Sequence, residues 1–291
     1  MLGAATLRGI QGAVGSVPRM KTFLITGAGR GLGRALTLAA LDAGHAVLAT
    51  VRGEHELPEH ERLVIHRLDV READAARAAV ASAVETFGRL DVLVNNAGYG
   101  LVGAVEEVSE AEAREIIDTD LLGALWLTQA AVTVMREQGS GDIVQISTVG
   151  AVGTVPTLGL YNAAKWGLEG FSEALAAEVA GFGVRVTIVE PGELATEWGT
   201  SSMRFASPSP AYDTLRTQLF GSPTVPWEAD GPGDGTSPEA AAAAILTHLA
   251  SADDRLRLLV GEDAPGQVAE ALRRRGDSYG PGAVFSEKAE T

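Results

Sequence analysis

Short, almost wholly apolar runs alternate along this chain with stretches in which apolar positions recur every three or four residues. The runs at 21–26, 45–51, 62–67, 91–95, 142–147, 183–189 and 256–260 are short and β-prone, and "DVLVN" and "VRVTIV" have apolar side chains on both faces. A strand reads that way when both of its faces are buried. Between the runs, helical spacing appears near 32–43, 72–87, 109–137, 160–180, 238–250 and 264–275. Strands alternating with helices predict βαβ units and a parallel sheet covered on both faces. The expected fold is α/β: one doubly wound domain over 20–275 with seven parallel strands. Residues 1–19, which carry Arg8 and Arg19 and no acid, are expected to be a disordered extension, and 276–291 a flexible tail. The segment 197–236 breaks the rhythm. It is rich in Pro, Gly and Ser, and a connection of that length in a compact domain is usually functional or disordered.

In an open parallel sheet, ligands bind beyond the carboxyl ends of the strands. The first strand ends in "TGAGRGLG", residues 26–33, at the turn into a helix. Free backbone N–H groups and the positive dipole end at a helix N-terminus attract anions, and glycines let a phosphate come close. Such a loop is a phosphate cradle, or a tight turn with nothing bound. The other strand ends read "LATVRG", "RLDV", "NNAGYG", "IVQISTVG" and "VEPGELAT". Small, polar and glycine residues at every end fit one extended cleft.

Composition narrows the chemistry. The 291 residues are 46% hydrophobic with a net charge of −15, which disfavours nucleic acid and anionic membrane as partners. No apolar run approaches the roughly 18 residues of a membrane helix. With no cysteine there is no disulfide and no Cys-ligated metal centre, no metal site is expected, and a reducing cytoplasm is the simplest location.

In "YNAAKWG", Tyr161 and Lys165 are four apart and share one helix face. A free tyrosine titrates near 10, and a neighbouring ammonium lowers that value, so the pair can pass a proton to or from a substrate oxygen. The plainer reading is an amphipathic helix with an exposed lysine. Lys165 is, however, one of only three lysines, with Lys21 and Lys288.

"TGAGRGLG", "NNAG", "YNAAK" and "PGELAT", in this order and spacing over roughly 20–275, resemble the short-chain dehydrogenase/reductase family. The resemblance implies a Rossmann fold, a nicotinamide dinucleotide and hydride transfer between an alcohol and a carbonyl. It implies that Tyr161 protonates the carbonyl oxygen and that Lys165 holds the nicotinamide ribose and tunes Tyr161. Gly27, Gly29, Arg30, Gly31, Leu32 and Gly33 would form the phosphate turn. Asp69 and Val70 would meet adenine, Asn95, Ala97 and Gly98 would line the adenosine side, and Pro191, Gly192, Leu194 and Thr196 would flank the nicotinamide. Members commonly pair through the long helices near 109–137 and 160–180, so a homodimer or homotetramer is expected.

Two positions depart from the family. The hydroxyl that steadies the substrate oxygen is usually a serine 13 residues before the tyrosine; here that position is Thr148, with Ser147 beside it. If the strand continues through both, they face opposite ways and only one can serve. The family's asparagine in the helix after the fourth strand is replaced by Asp120, whose charge would offset that of Lys165 and make Tyr161 a weaker acid. The second strand ends in Thr50, Val51 and Arg52, without the acid that binds an NAD ribose, so NADP(H) is expected, with Arg52 and Arg30 on its 2′-phosphate. The cluster Trp198, Phe205, Tyr212, Phe220 and Trp227 predicts an aromatic cover for a medium-sized, largely apolar carbonyl or alcohol substrate. Rival readings are a non-catalytic redox sensor and, from Asp120, an isomerase or dehydratase on the same scaffold.

Overall fold

In the computed structural model, residues 19–196, 202–225 and 235–279 are described. The expected N-terminal extension, apart from Arg19, and positions 280–291 of the expected tail lie outside them. Gly276–Ser278, assigned to that tail, instead continue the last helix.

The chain runs β1 (Thr22–Ile25), α1 (Gly31–Asp42), β2 (Ala46–Val51), β3 (Leu63–Arg67), α2 (Ala73–Phe87), β4 (Val92–Asn95), β5 (Gly100–Val102), α3 (Glu110–Ile117), α4 (Gly123–Gln138), β6 (Gly141–Ile146), α5 (Gly159–Val179), β7 (Val184–Pro191), β8 (Met203–Phe205), α6 (Asp213–Phe220), α7 (Pro238–Ala250), β9 (Arg257–Val260) and α8 (Ala264–Ser278). Seven strands form one sheet in the order β3-β2-β1-β4-β6-β7-β9, and every pair is parallel. This is a doubly wound Rossmann-like α/β fold. The strand order reverses between β1 and β4, where a cleft opens at the carboxyl ends.

Period-two alternation divides the apolar strand residues between two cores. Phe23, Ile25, Val47, Ala49, Val92 and Val94 pack on one face with Leu36 and Ala40 of α1 and Ile245 of α7. Leu24, Leu48, Leu93, Ile143 and Val186 pack on the other with Val80 of α2 and Leu127 and Met135 of α4. Two buried faces account for strands with no polar stripe. Among the described residues, no helix is long and apolar enough to cross a membrane.

Three features differ from the sequence expectation. The helical stretch 109–137 is α3 and α4 joined by a π-helical turn, Asp118–Leu122. Period alone does not reveal such a turn, because one added residue shifts the apolar register by less than a third of a turn. Ser109 caps α3, with its Oγ accepting from the Glu112 N–H and Glu112 Oε2 accepting from the Ser109 N–H at 2.9 Å. Second, β5 and β8 form a separate parallel pair that ties the segment after β7 to the end of β4. Third, that segment carries α6. Glu107, after β5, accepts from Arg216 Nη1 of α6 and from the Ser209 N–H, each at 2.6 Å, and both side chains of the ion pair are buried.

Candidate active site

The cleft at the switch point has a volume of about 690 Å³. Its walls include Gly27, Gly29, Arg30, Gly31 and Leu32 from the first turn, Arg52 after β2, and Asp69 and Val70 after β3. Ala97 and Gly98 come from the loop after β4, Thr148 from the end of β6, Tyr161 and Lys165 from α5, and Pro191, Gly192, Leu194 and Thr196 from beyond β7. One cleft therefore gathers the predicted residues, with two exceptions.

Gly33 is buried behind the turn. A Cβ there would collide with the Gly27 carbonyl and the Asn96 side chain. Its role is to let α1 approach β1 and β4 closely. Asn95 is the second exception. As the last residue of β4 it turns to the α4 layer, where its Nδ2 donates to Thr128 Oγ1 at 2.9 Å and Gln145 Oε1 at 3.0 Å. The next residue, Asn96, lines the cleft instead, because successive strand residues face opposite ways. Asn96 is locked by its Nδ2 donating to the Thr26 carbonyl at 2.9 Å, while Thr26 Oγ1 accepts from the N–H groups of Asn96 and Ala97.

The phosphate turn is open to an anion. Gly27 and Gly31 hold φ of 64° and 51°, which glycine adopts without strain. The N-cap residue Arg30 makes no side-chain cap to α1, and the helix's first turn carries no acid. A dinucleotide's pyrophosphate suits a helix N-terminus of this kind. Asp69 is less free than expected: Arg71 Nε and Nη2 donate to its carboxylate, which holds that carboxyl below its ordinary value.

The residues expected to handle the proton converge at the other end. Lys165 is buried, and its Nζ donates to the Ile146 carbonyl at 3.1 Å and stands 3.5 Å from Asp120 Oδ2. Asp120, at the centre of the π-helical turn, is also buried and accepts from the Tyr99 N–H at 3.1 Å. Gly98 lies against this pair; a Cβ there would stand 2.7 Å from Asp120 Oδ2. Burial pushes the Asp120 carboxyl up to about 6, against the pull of Lys165 and the Tyr99 N–H. Lys165 Nζ lies 5.9 Å from the centre of the Tyr161 ring. Burial raises the Tyr161 hydroxyl well above 10, the Asp120 charge raises it further, and a hydrogen bond with Thr148 lowers it.

Ser147 and Thr148 separate as alternation requires. Ser147 Oγ points below the floor and donates to Glu169 Oε1 at 2.6 Å. Thr148 stands on the Tyr161 side and caps the short turn Val149–Ala151, accepting from the Gly150 N–H at 3.1 Å. Of the expected aromatic cover, Trp198 and Trp227 lie outside the described residues. Phe205, Tyr212 and Phe220 are half-buried and do not line the cleft; Ser202 and Met203 do. The β5–β8 pairing decides this, by setting Met203 at the cleft.

Several wall residues escaped the sequence reading: Glu54, Asn96, Tyr99, Thr119 and Met203. Asn96 and Tyr99 had a signal, since both lie within the strand-end motif "NNAGYG". Glu54 had none.

The sequence profile of the short chain dehydrogenase family matches residues 21–205. The chain belongs to this family. Oxidoreductase BOA17 of Botryotinia fuckeliana is 36% identical over 261 residues, 87% of this chain and 94% of its own. The 3-ketodihydrosphingosine reductase of Bacteroides thetaiotaomicron is 38% identical over 174 residues, 60% of this chain and 64% of its own. A short-chain dehydrogenase from Streptomyces avermitilis superposes with a TM-score of 0.79 at 36% identity, covering 89% of this chain and 95% of that one. Related structures hold either nucleotide. An alcohol dehydrogenase from Thermococcus sibiricus carries 5-hydroxy-NADP (TM-score 0.67, 25% identity, 84% of this chain and 97% of that one). A Burkholderia phymatum member carries NAD (TM-score 0.73, 21% identity, 92% and 98%). The protein is thus an oxidoreductase of the short-chain dehydrogenase type, with a cleft suited to a nicotinamide dinucleotide.

Proposed function

We propose that this dehydrogenase is an NADP(H)-dependent reductase of a ketone or aldehyde of medium size and largely apolar character. The observation that carries the cofactor choice is at the end of β2. Thr50 is buried, no acid follows it directly, and Arg52 and Arg30 both line the cleft. A guanidinium suits a 2′-phosphate by charge and by bidentate geometry. Glu54 on the same wall favours the rival reading, a ribose 2′-hydroxyl and hence NAD.

When bound, the nicotinamide supplies or accepts the hydride. The turn at Gly27–Gly33 would hold the pyrophosphate, and Pro191–Gly192 would flank the nicotinamide. Tyr161 delivers a proton to the carbonyl oxygen as charge develops there, and Thr148 Oγ1 orients that oxygen. Lys165 sets the local positive field, which Asp120 partly cancels. Because Tyr161 stays a phenol over the neutral range, it is supplied as an acid, which supports reduction over oxidation. Leu194, Tyr99 and Met203 give that end of the cleft an apolar lining. The active assembly is a homodimer or homotetramer.

Dissociation constants for NADPH and NADH, followed by turnover of a carbonyl panel read as NADPH loss, test this reading. NADPH should bind at least about tenfold more tightly, the scale of one arginine–phosphate contact. Equal or tighter NADH binding overturns the cofactor choice. Faster reduction of small polar ketones than of bulky apolar ones overturns the substrate class.

A further inference from the structure

Behind the residues that handle the proton lies a second charged group that the reaction above does not use. Thr148, Lys165 and Pro191 face the cleft. Three residues adjoin them: Ser147, also on the cleft wall, precedes Thr148, while Glu169 and Glu190, which are not on it, follow Lys165 by one turn of α5 and precede Pro191 on β7. Glu190 is wholly buried, and Glu169 is nearly so. Ser147 Oγ donates to Glu169 Oε1 at 2.6 Å. From β9, Arg257 places Nε 2.8 Å from Glu190 Oε1, donates from Nη2 to Glu169 Oε2 at 3.2 Å, and also pairs with Glu173. Neither Glu190 oxygen receives a well-aligned hydrogen bond.

The charges do not balance if every group is ionised. One guanidinium, partly open to solvent, serves three carboxylates, two of them buried. Lys165, one turn away, is committed to Asp120 and the Ile146 carbonyl. Two buried carboxyls that share one guanidinium do not both ionise readily. We propose that Glu169 and Glu190 share one proton beneath the cleft floor, and that this pair, tied to Ser147 and capped by Arg257, positions the β6, α5 and β7 ends that carry Thr148, Lys165 and Pro191. The inference rests on the cofactor reading above for what those ends hold.

The electrostatics agree with the geometry. Burial, then the Glu169 charge, push the Glu190 carboxyl up to about 7, against Arg257. A carboxyl raised in the fold favours folding at low pH, and that contribution is lost as pH rises from the ordinary carboxylate range through 7. Once the proton leaves, like charges repel between α5 and β7, and the floor loosens under the nicotinamide end.

The test needs no substrate. NADPH binding by fluorescence and the melting temperature are measured from pH 5.5 to 8.5 for the wild type, Glu190→Gln and Glu169→Gln. In the wild type the dissociation constant should rise at least about threefold between pH 6 and 8, less than the tenfold that one full unit of pKa coupling carries. Either amide keeps a hydrogen-bonding group and carries no charge, so each variant should bind with a weaker pH dependence than the wild type over that interval. Glu190→Gln should match the wild-type melting temperature at pH 5.5 and exceed it by about 3 °C or more at pH 8.5. A variant whose binding keeps the wild-type pH dependence, or a melting difference constant with pH, overturns the shared proton. If one variant fails to fold, the other carries the same expectation. If no form binds NADPH, the cofactor reading fails, and the melting series still decides the carboxyl pair.

Discussion

Ser147 and Thr148 are adjacent hydroxyls with opposite surroundings: one is bound to a buried glutamate, the other stands beside Tyr161. Removing the Thr148 hydroxyl while keeping the fold should remove a donor to the developing oxyanion. Thr148→Ala is expected to lower kcat roughly 100-fold, and Thr148→Ser to stay within about threefold of the wild type. Steady-state kinetics check this; an alanine variant that turns over normally assigns the role elsewhere. Asp120 sets a second expectation at this scale. Its charge adds to burial in raising Tyr161, and oxidation of an alcohol needs the tyrosinate. Asp120→Asn should move the apparent pKa of alcohol oxidation downward and raise the rate at pH 7.5 roughly three- to tenfold. Below about pH 6, where Asp120 takes up its own proton, the two profiles should converge. Coincident profiles over the whole range would show that Asp120 and Tyr161 are not coupled.

Elements carry the substrate end. The segment after β7 is held to the body by the β5–β8 pair, by Arg204 stacked over Tyr99 at 4.5 Å and by the buried Arg216–Glu107 pair. Arg216 also donates to the Ser209 and Pro223 carbonyls, so one side chain ties the two ends of the α6 region. Arg216→Met leaves Glu107 buried without its cation, which is more costly than never having had the pair. The expected result is a substrate KM raised about tenfold or more with cofactor affinity within about twofold, since α6 is remote from the phosphate turn. Measuring KM for the best substrate and the dissociation constant for NADPH separates the two. Equal losses in both would mean that the segment supports the whole cleft.

At the scale of the molecule, the question is what covers the outer helices. On the stretches 109–137 and 160–180, Leu168 is buried, and Leu121, Leu122, Leu125, Trp126 and Phe171 are only half-buried. Leucine and aromatic groups left partly exposed on neighbouring helices suit an isologous interface between copies. Multi-angle light scattering at micromolar concentration should give a mass of two or four times 30.1 kDa. A single species of 30.1 kDa refutes the assembly.

The alternation of apolar runs with helical stretches determined the fold class and placed all seven strands of the main sheet to within about two residues at most ends, since a doubly buried parallel strand admits few polar residues. The strand-end motifs placed Gly27 and Pro191, and the helical spacing of "YNAAK" placed Tyr161 and Lys165, among residues that line one cleft, because a parallel sheet brings every carboxyl end to one edge. Other features depended on contacts between residues far apart in the chain. The π-helical turn aims Asp120 at Lys165; strand alternation sends Asn95 inward and Asn96 to the cleft. The β5–β8 pairing puts Met203, and none of the aromatics expected from 197–236 that are described, at the cleft. The carboxyl pair under the floor joins residues 147, 169, 190 and 257. Local pattern reports which face of an element is buried; which side chains meet across buried faces is settled by packing and charge among elements that the sequence keeps apart.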